Sequence, residues 1–173
     1  MDKIVGIRKI KRKRAELKSE KKVLVFTNGC FDIIHRGHIE YLKKAKSYGD
    51  FLLVAVNSDS SVRKIKGKER PVISLTDRLF ILSHFPFIDF LISFDDETPE
   101  QLIKSILPDV LIKGSDYREE EIVGSDIVKK NGGKVITIPF LKGKSSSSII
   151  RKILKRYKEK GNKLATKAQR HKG

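Results

Sequence analysis

Short apolar runs alternate with amphipathic helical patterns along most of this 173-residue chain. The runs are five to seven residues long and rich in Val, Ile, Leu and Phe, which is typical of strands buried on both faces. They cover residues 23–27, 51–56, 87–93, 109–113 and 134–139. The helical patterns lie at 36–48, 59–65, 75–84, 98–107 and 119–131. Strands and helices in alternation predict an α/β fold with a doubly wound, five-stranded parallel sheet.

The chain is long enough for one domain with its own hydrophobic core. A basic helix is predicted at 7–20, before the first strand, and a second one at 146–160, after the last strand. We therefore divide the chain into a basic N-terminal helix at 1–22, a central domain at 23–160 and a basic, polar C-terminal tail at 161–173.

The net charge of +17 is concentrated at the two ends of the chain. Residues 1–22 contain ten Lys and Arg against three acidic residues, and residues 142–173 contain twelve against one. Residues 23–141 are nearly neutral, with sixteen basic and seventeen acidic side chains. Such ends are mostly solvated helix faces or tails, and a polyanion-binding patch is the alternative. Trp is absent and no stacking aromatic pattern accompanies the charges, so nucleic acid is not the favoured partner.

Hydropathy and cysteine content indicate the compartment. No apolar run approaches the ~20 residues that span a bilayer, and no signal-peptide core follows the basic N-terminus. Cys30 is the only cysteine, which excludes an internal disulfide and fits a reducing cytoplasm. We expect a cytoplasmic protein without a membrane partner.

The stretch TNGCFDIIHRGH, residues 27–38, follows the first predicted strand and leads into a helix. In open parallel sheets, ligands bind at the carboxyl ends of the strands, where this stretch lies. Asn28 and Gly29 permit a tight turn whose amides can face an anion. His35 and His38 share one side of the helix start, and Gly37 leaves room between them for a bulky ligand. Two imidazoles beside a helix N-terminus are donors suited to phosphate oxygens.

A zinc site and a structural role are the alternatives for the two histidines. A zinc site needs further ligands, and no other Cys or His has suitable spacing. The two side chains could instead be structural and stabilise the turn. The glycine-containing turn favours the phosphate interpretation, as does a second motif near the end of the chain.

That second motif is GKSSSSIIRKI, residues 143–153, which places four serines at the start of a basic helix. One serine would serve as the N-cap. The others, with Lys142, Lys144 and Arg151 nearby, predict a second phosphate cradle. A flexible serine linker is the alternative, but the helix that follows immediately argues against it.

Several motifs occur in order between residues 23 and 155, namely VFTNGCFDIIHRGHIEYLKKAKSYGD, VAVNSD, IKGKERPV, FDDETPEQLI, PDVLIKGSDY and GGKVITIPFLKGKSSSSIIRKI. Together they resemble the heptose 1-phosphate adenylyltransferases of the HxGH nucleotidyltransferase superfamily. The resemblance implies a Rossmann-like enzyme that transfers AMP from ATP to D-glycero-β-D-manno-heptose 1-phosphate. The products would be pyrophosphate and ADP-heptose for lipopolysaccharide biosynthesis.

In that family the domain often stands behind a sugar kinase in one bifunctional protein. No kinase half is present here, so the resemblance implies a stand-alone transferase with a separate heptose kinase as its pathway neighbour. A homo-oligomer, dimer or larger, is expected. The alternatives are a related transferase that acts on FMN, a pantetheine phosphate or a polyol phosphate and, from another class, a nucleic-acid-binding protein.

The resemblance also implies roles for particular residues. The expected catalytic side chains are His35, His38, Lys66 and Arg78. ATP and its phosphates would be bound at Asn28, Gly29, Cys30, Phe31, Gly37, Asp116, Ser145, Ser146, Ser147 and Arg151. The acceptor substrate would contact Asp32 and Lys64, the latter also an alternative to Lys66 at the phosphates. Mg²⁺ would bridge the phosphates of ATP with few or no protein ligands, so no protein metal site is expected.

One position separates the branches of this superfamily. Related glycerol-phosphate cytidylyltransferases have an arginine three residues before the glycine of the serine motif, where this chain has Phe140. The role of that arginine would fall to Lys142, Lys144 or Arg151. The difference favours ATP over CTP.

Overall fold

The computed structural model describes residues 3–114 and 121–170, with side chains described up to residue 158. Five strands form one parallel sheet in the order β3-β2-β1-β4-β5. The strands are β1 Leu24–Gly29, β2 Phe51–Asn57, β3 Phe90–Phe94, β4 Val110–Gly114 and β5 Lys134–Ile138. The helices are α1 Ile7–Ser19, α2 Arg36–Lys46, α3 Asp59–Lys66, α4 Leu75–Ser83, α5 Glu100–Ile106, α6 Ser125–Lys130 and α7 Ser146–Arg170. The predicted doubly wound parallel sheet is confirmed.

The two faces of the sheet carry separate hydrophobic clusters because successive side chains of a strand point to opposite faces. Leu24 and Phe26 pack with α1, α5 and α6, whereas Val25 packs with α2 and α4. Helices therefore cover both faces, as the near-continuous apolar strands predicted. Among the helices in the described part of the chain, none is both long and apolar enough to cross a membrane.

The basic helix α1 belongs to the same core as the sheet. Its Ile10 and Leu17 are fully buried in the cluster that contains Leu24 and Phe26. Ahead of it, the Val5 amide donates to the Leu91 carbonyl at 2.8 Å, which extends the β3 edge of the sheet. The positive charges of α1 therefore lie on a helix that is packed against the sheet.

Three element boundaries differ by three residues or more from the sequence-based expectation. The run at 87–93 becomes a strand only from Phe90, because the Ile88 amide closes a turn onto the Phe85 carbonyl. Helix α6 begins at Ser125, after Gly124 at φ 87°, where a Cβ would lie 2.6 Å from the Ile103 side chain. Helix α7 continues to Arg170, past the expected end at 160, because Lys, Leu, Ala and Gln favour helix and no proline interrupts them.

Candidate active site

A cavity of about 810 Å³ opens at the carboxyl ends of the strands. Its walls come from the β1–α2 turn, the end of α3, the end of β4 and the loop that leads into α7. Of the residues predicted from the sequence, the cavity brings together Asn28, Gly29, Cys30, Phe31, Asp32, His35, Gly37, His38, Lys66, Ser145, Ser146, Ser147 and Arg151. The two motifs, more than a hundred residues apart in the chain, thus face one space.

The histidines form a stacked pair at the start of α2. Their ring centroids are 3.8 Å apart, with an angle of 19° between the planes. The Nδ1 atom of each ring is buried and has no hydrogen-bond partner among the described residues. Because buried polar atoms are nearly always satisfied, two adjacent unsatisfied nitrogens at a cavity wall indicate a place for a polar ligand.

Gly37 makes this pair possible. A Cβ at position 37 would lie 3.0 Å from the His35 ring and 3.3 Å from the Lys144 Cβ. The glycine therefore allows the His35 ring and the loop before α7 to approach the helix start. Protein atoms therefore fill part of the space that was expected for a bulky ligand, although Gly37 also lines the cavity.

The environment of the two rings disfavours the imidazolium form. Burial, together with a smaller contribution from the neighbouring His35, lowers the pKa of His38 to about 4. Burial also lowers the pKa of His35, with a contribution from the Lys144 ammonium. Without a bound anion the pair is therefore neutral at pH 7. A phosphate beside the rings would oppose both effects and favour protonation.

We expect the protein to lose stability as the pH falls from about 6.5 towards about 4, the unfolded and folded pKa values of His38. In this window the unfolded chain binds more protons than the folded one, so the free energy of unfolding rises with pH. Urea unfolding of wild type and His38→Gln between about pH 5 and 7 measures the slope. The variant should show a shallower dependence, and equal slopes would contradict the low pKa.

Phe31 supports the histidines from the turn after β1. Its backbone has φ 47°, in the left-handed region, and its ring meets the His38 ring edge-on with centroids 5.4 Å apart. A Cβ on Gly29 would lie 3.1 Å from the Phe31 ring. The neighbouring Cys30 thiol has its pKa raised, mainly by burial, which disfavours the thiolate that a nucleophilic cysteine requires.

The serine run attaches the start of α7 to the segment between β1 and α2. Ser145 and Ser148 cap the helix reciprocally, since the amide of each donates to the hydroxyl of the other at 3.2 and 3.1 Å. The Ser146 hydroxyl donates to the Ile33 carbonyl at 3.1 Å. The first amides of a helix have no intrahelical partner, so those of Ser146 and Ser147 can serve an anion. Of the four serine hydroxyls, those of Ser145, Ser146 and Ser148 make the contacts with the protein described above.

Asp32 has a different role from the one predicted. It is 2% exposed and its Oδ1 accepts from the amides of Val72 and Ile73 at 2.8 and 2.9 Å. Its Oδ2 accepts from Arg70 Nε at 2.5 Å. Both carboxylate oxygens bind the loop before α4. The carboxylate is therefore not available to the acceptor substrate, which was the role expected from the sequence. Arg70 lines the cavity and was missed, although it lies in the IKGKERPV motif.

Arg78 does not line the cavity. The side chain is fully buried, and its guanidinium donates to the carbonyls of Cys30 at 2.5 Å and Asn57 at 2.8 Å. It also donates to the Ile73 carbonyl and to Asp59 Oδ1, at 3.0 and 2.6 Å. The predicted contact with phosphate is therefore corrected, because all these donors are directed at the protein. Arg78 joins the ends of β1 and β2 to the loop before α4.

The remaining predicted residues differ in whether they line the cavity. Lys66 lines the cavity, whereas Lys64 on the same helix is exposed outside it. Asp116 lies outside the described residues. Lys113, at the end of β4, lines the cavity and donates to Asn28 Oδ1 at 2.5 Å. It was not singled out from the sequence, where the only signal was its place in the PDVLIKGSDY motif.

Residues 26–153 match the family model described as cytidylyltransferase-like. The bifunctional protein HldE of Geobacter metallireducens is 49% identical over 142 residues, which are 82% of this chain and 29% of that protein. HldE of Campylobacter curvus is 52% identical over 136 residues, 79% of this chain and 28% of the relative. The chain thus spans about three tenths of the length of the curated relatives it matches.

Solved structures agree with the fold. The lipopolysaccharide core biosynthesis protein of Thermoplasma volcanium is 31% identical, with a TM-score of 0.59 over 71% of this chain and 99% of that one. A pantoate-beta-alanine ligase of Francisella tularensis is 17% identical, with a TM-score of 0.57 over 88% and 78%, and shows the shared fold alone. With its HxGH histidines and its serine-capped helix facing one cavity, the chain belongs to the cytidylyltransferase-like family of nucleotidyltransferases.

Proposed function

We propose that this protein transfers AMP from ATP to D-glycero-β-D-manno-heptose 1-phosphate, giving ADP-heptose and pyrophosphate. The observation that carries the proposal is the stacked histidine pair, which lines the same cavity as the start of α7 and whose buried Nδ1 atoms have no hydrogen-bond partner among the described residues. The choice of acceptor is supported by the motif resemblance and by the identity of about half of the aligned residues with HldE proteins.

The reaction needs little covalent chemistry from the protein. A phosphate oxygen of the sugar phosphate attacks the α-phosphorus of ATP, and the bond to the oxygen that bridges to the β-phosphorus breaks. The nucleophile is already an anion, so no general base is required. The protein then has to align the two phosphates and neutralise the charge that develops between them.

The cavity wall supplies donors for that charge. His35 and His38 lie on one side and the first amides of α7 on another, with Lys66 and Arg151 among the lining residues. A phosphate at the histidines would raise their pKa values, so binding of ATP is accompanied by proton uptake in this mechanism. The serines hold α7 in place and form no covalent intermediate.

Mg²⁺ is proposed to enter with ATP. No group of three His, Cys, Asp or Glu side chains among the described residues could hold a metal ion, and the Asp32 carboxylate is used by the protein. These residues do not form a resident metal site, and we propose that the ion is coordinated mainly by the phosphates and water.

We expect ATP to be used at least tenfold better than CTP, with heptose 1-phosphate as the best acceptor. Phe140 stands where cytidylyltransferases carry an arginine; it is 49% exposed and its ring lies 5.5 Å from that of Tyr41. Pyrophosphate release with each nucleotide measures the preference. FMN, pantetheine phosphate and glycerol phosphate serve as comparison acceptors. Faster turnover with CTP, or with one of those acceptors, would overturn the assignment.

The same proposal implies a reaction partner and a location. A kinase acting on the sugar must supply the 1-phosphate, and we propose that it is a separate protein in the cytoplasm. A homo-oligomer is proposed for the transferase. Retention on random DNA that is lost when exposed basic residues of α1 and α7, such as Lys9, Lys11 and Lys155, are replaced with glutamine would instead favour the nucleic-acid alternative.

A further inference from the structure

Asn28 and Lys113 meet at the carboxyl ends of β1 and β4, although 85 residues separate them in the chain. The strand register pairs Thr27 of β1 with Ile112 of β4. Asn28 and Lys113, the next residues of the two strands, therefore lie side by side. β1 and β4 are neighbours at the point where the strand order reverses, which is where open α/β sheets bind their ligands. Both side chains are partly exposed and line the cavity.

The contact determines which way the Asn28 amide points. Lys113 Nζ lies 2.5 Å from Asn28 Oδ1, and an ammonium group can only donate. The amide oxygen must therefore face Lys113, and the Nδ2 group, with its two N–H donors, faces away from it. Within the described part of the chain, Lys113 to Oδ1 is the hydrogen bond of the Asn28 side chain, and Nδ2 donates none.

From this geometry we infer that Lys113 is a positioning residue that holds the Asn28 amide as a donor to a phosphate oxygen of a substrate. The inference rests on the proposed phosphate chemistry, because ATP and the sugar phosphate are the two sources of such an oxygen. The surrounding donors agree with an anion: the histidine pair, Lys66, Arg151 and the start of α7 line the same cavity.

Substitutions at position 28 separate this role from a structural one. Asn28→Asp keeps an oxygen for Lys113 and makes the contact an ion pair, but removes both N–H donors. The melting temperature should therefore stay the same or rise, while affinity for the phosphate ligand falls at least tenfold. Asn28→Ala removes the donors without adding charge and should weaken binding by a similar factor. A structural role would instead lower the melting temperature of Asn28→Ala and leave affinity unchanged.

A double variant tests whether Lys113 affects ligand binding through Asn28. Lys113→Met should weaken binding, and the Asn28→Ala, Lys113→Met double variant should lose less than the product of the two single losses, since one residue acts through the other. Lys113→Arg, which can still donate to Oδ1, should recover most of the affinity. Lys43→Met on the exposed side of α2 is the matched control and should bind as wild type does.

Calorimetry with three separate probes, ATP, inorganic pyrophosphate and heptose 1-phosphate, identifies the source of the oxygen. Loss confined to ATP and pyrophosphate assigns the donor to the triphosphate, and loss confined to the sugar phosphate assigns it to the acceptor. Dissociation constants within twofold of wild type for all three probes would overturn the inference, as would single losses that multiply in the double variant. Because binding is measured without turnover, an inactive acceptor would count against the proposed function only.

Discussion

Replacing His38 with alanine should lower turnover by about 10²–10³, the loss seen when one donor to a transition-state charge is removed. ATP affinity should change much less, because the donor acts on charge that develops during transfer. His38 has the structural features for this role: its ring stacks on His35 at 3.8 Å and its Nδ1 is buried without a partner among the described residues. Single-turnover and steady-state pyrophosphate release separate the effect on kcat from that on KM.

His84→Ala is the matched control, because this histidine is exposed at the end of α4 and does not line the cavity. It should leave turnover unchanged. The His35→Ala, His38→Ala double variant should lose less than the product of the single losses, since both rings act on one charge. A well-folded His38→Ala protein with turnover within about threefold of wild type would contradict the catalytic role, given the loss expected for a donor.

Replacing Arg78 with methionine should reduce the free energy of unfolding by about 3 kcal/mol or more. The substitution leaves the carbonyls of Cys30 and Asn57 without their donor and Asp59 without its ion-pair partner. The three segments joined by the guanidinium, at the ends of β1 and β2 and before α4, would lose their common attachment. Urea unfolding monitored by circular dichroism measures the loss.

Arg63→Met removes the same charge from the exposed side of α3 and should change the stability by less than about 0.5 kcal/mol. Arg78→Lys keeps the charge but not the planar fork of donors, so its stability should lie between those of wild type and Arg78→Met. If Arg78→Met unfolds like wild type but binds ATP more weakly, the buried network is not the main role of this arginine and the phosphate contact predicted from the sequence would be restored.

Local patterns in the sequence were sufficient for the architecture and for one half of the candidate site. Short apolar runs and period-3.6 hydrophobicity are properties of neighbouring residues, so the five parallel strands and most of the helices were predictable. His35, Gly37 and His38 are also neighbours in the chain, and a helix start brings them together wherever the helix packs. The serine run was recognisable as a helix start for the same reason.

The contacts between distant segments required the tertiary structure. Arg78 donates to Cys30, which is 48 residues away, and Lys113 donates to Asn28, which is 85 residues away. A charged residue near a phosphate motif has the same sequence signature whether it faces the ligand or is buried behind the wall, so Arg78 and Asp32 were assigned to ligands. Sheet order and helix packing decide between these possibilities, because they set which segments meet at the carboxyl ends of the strands.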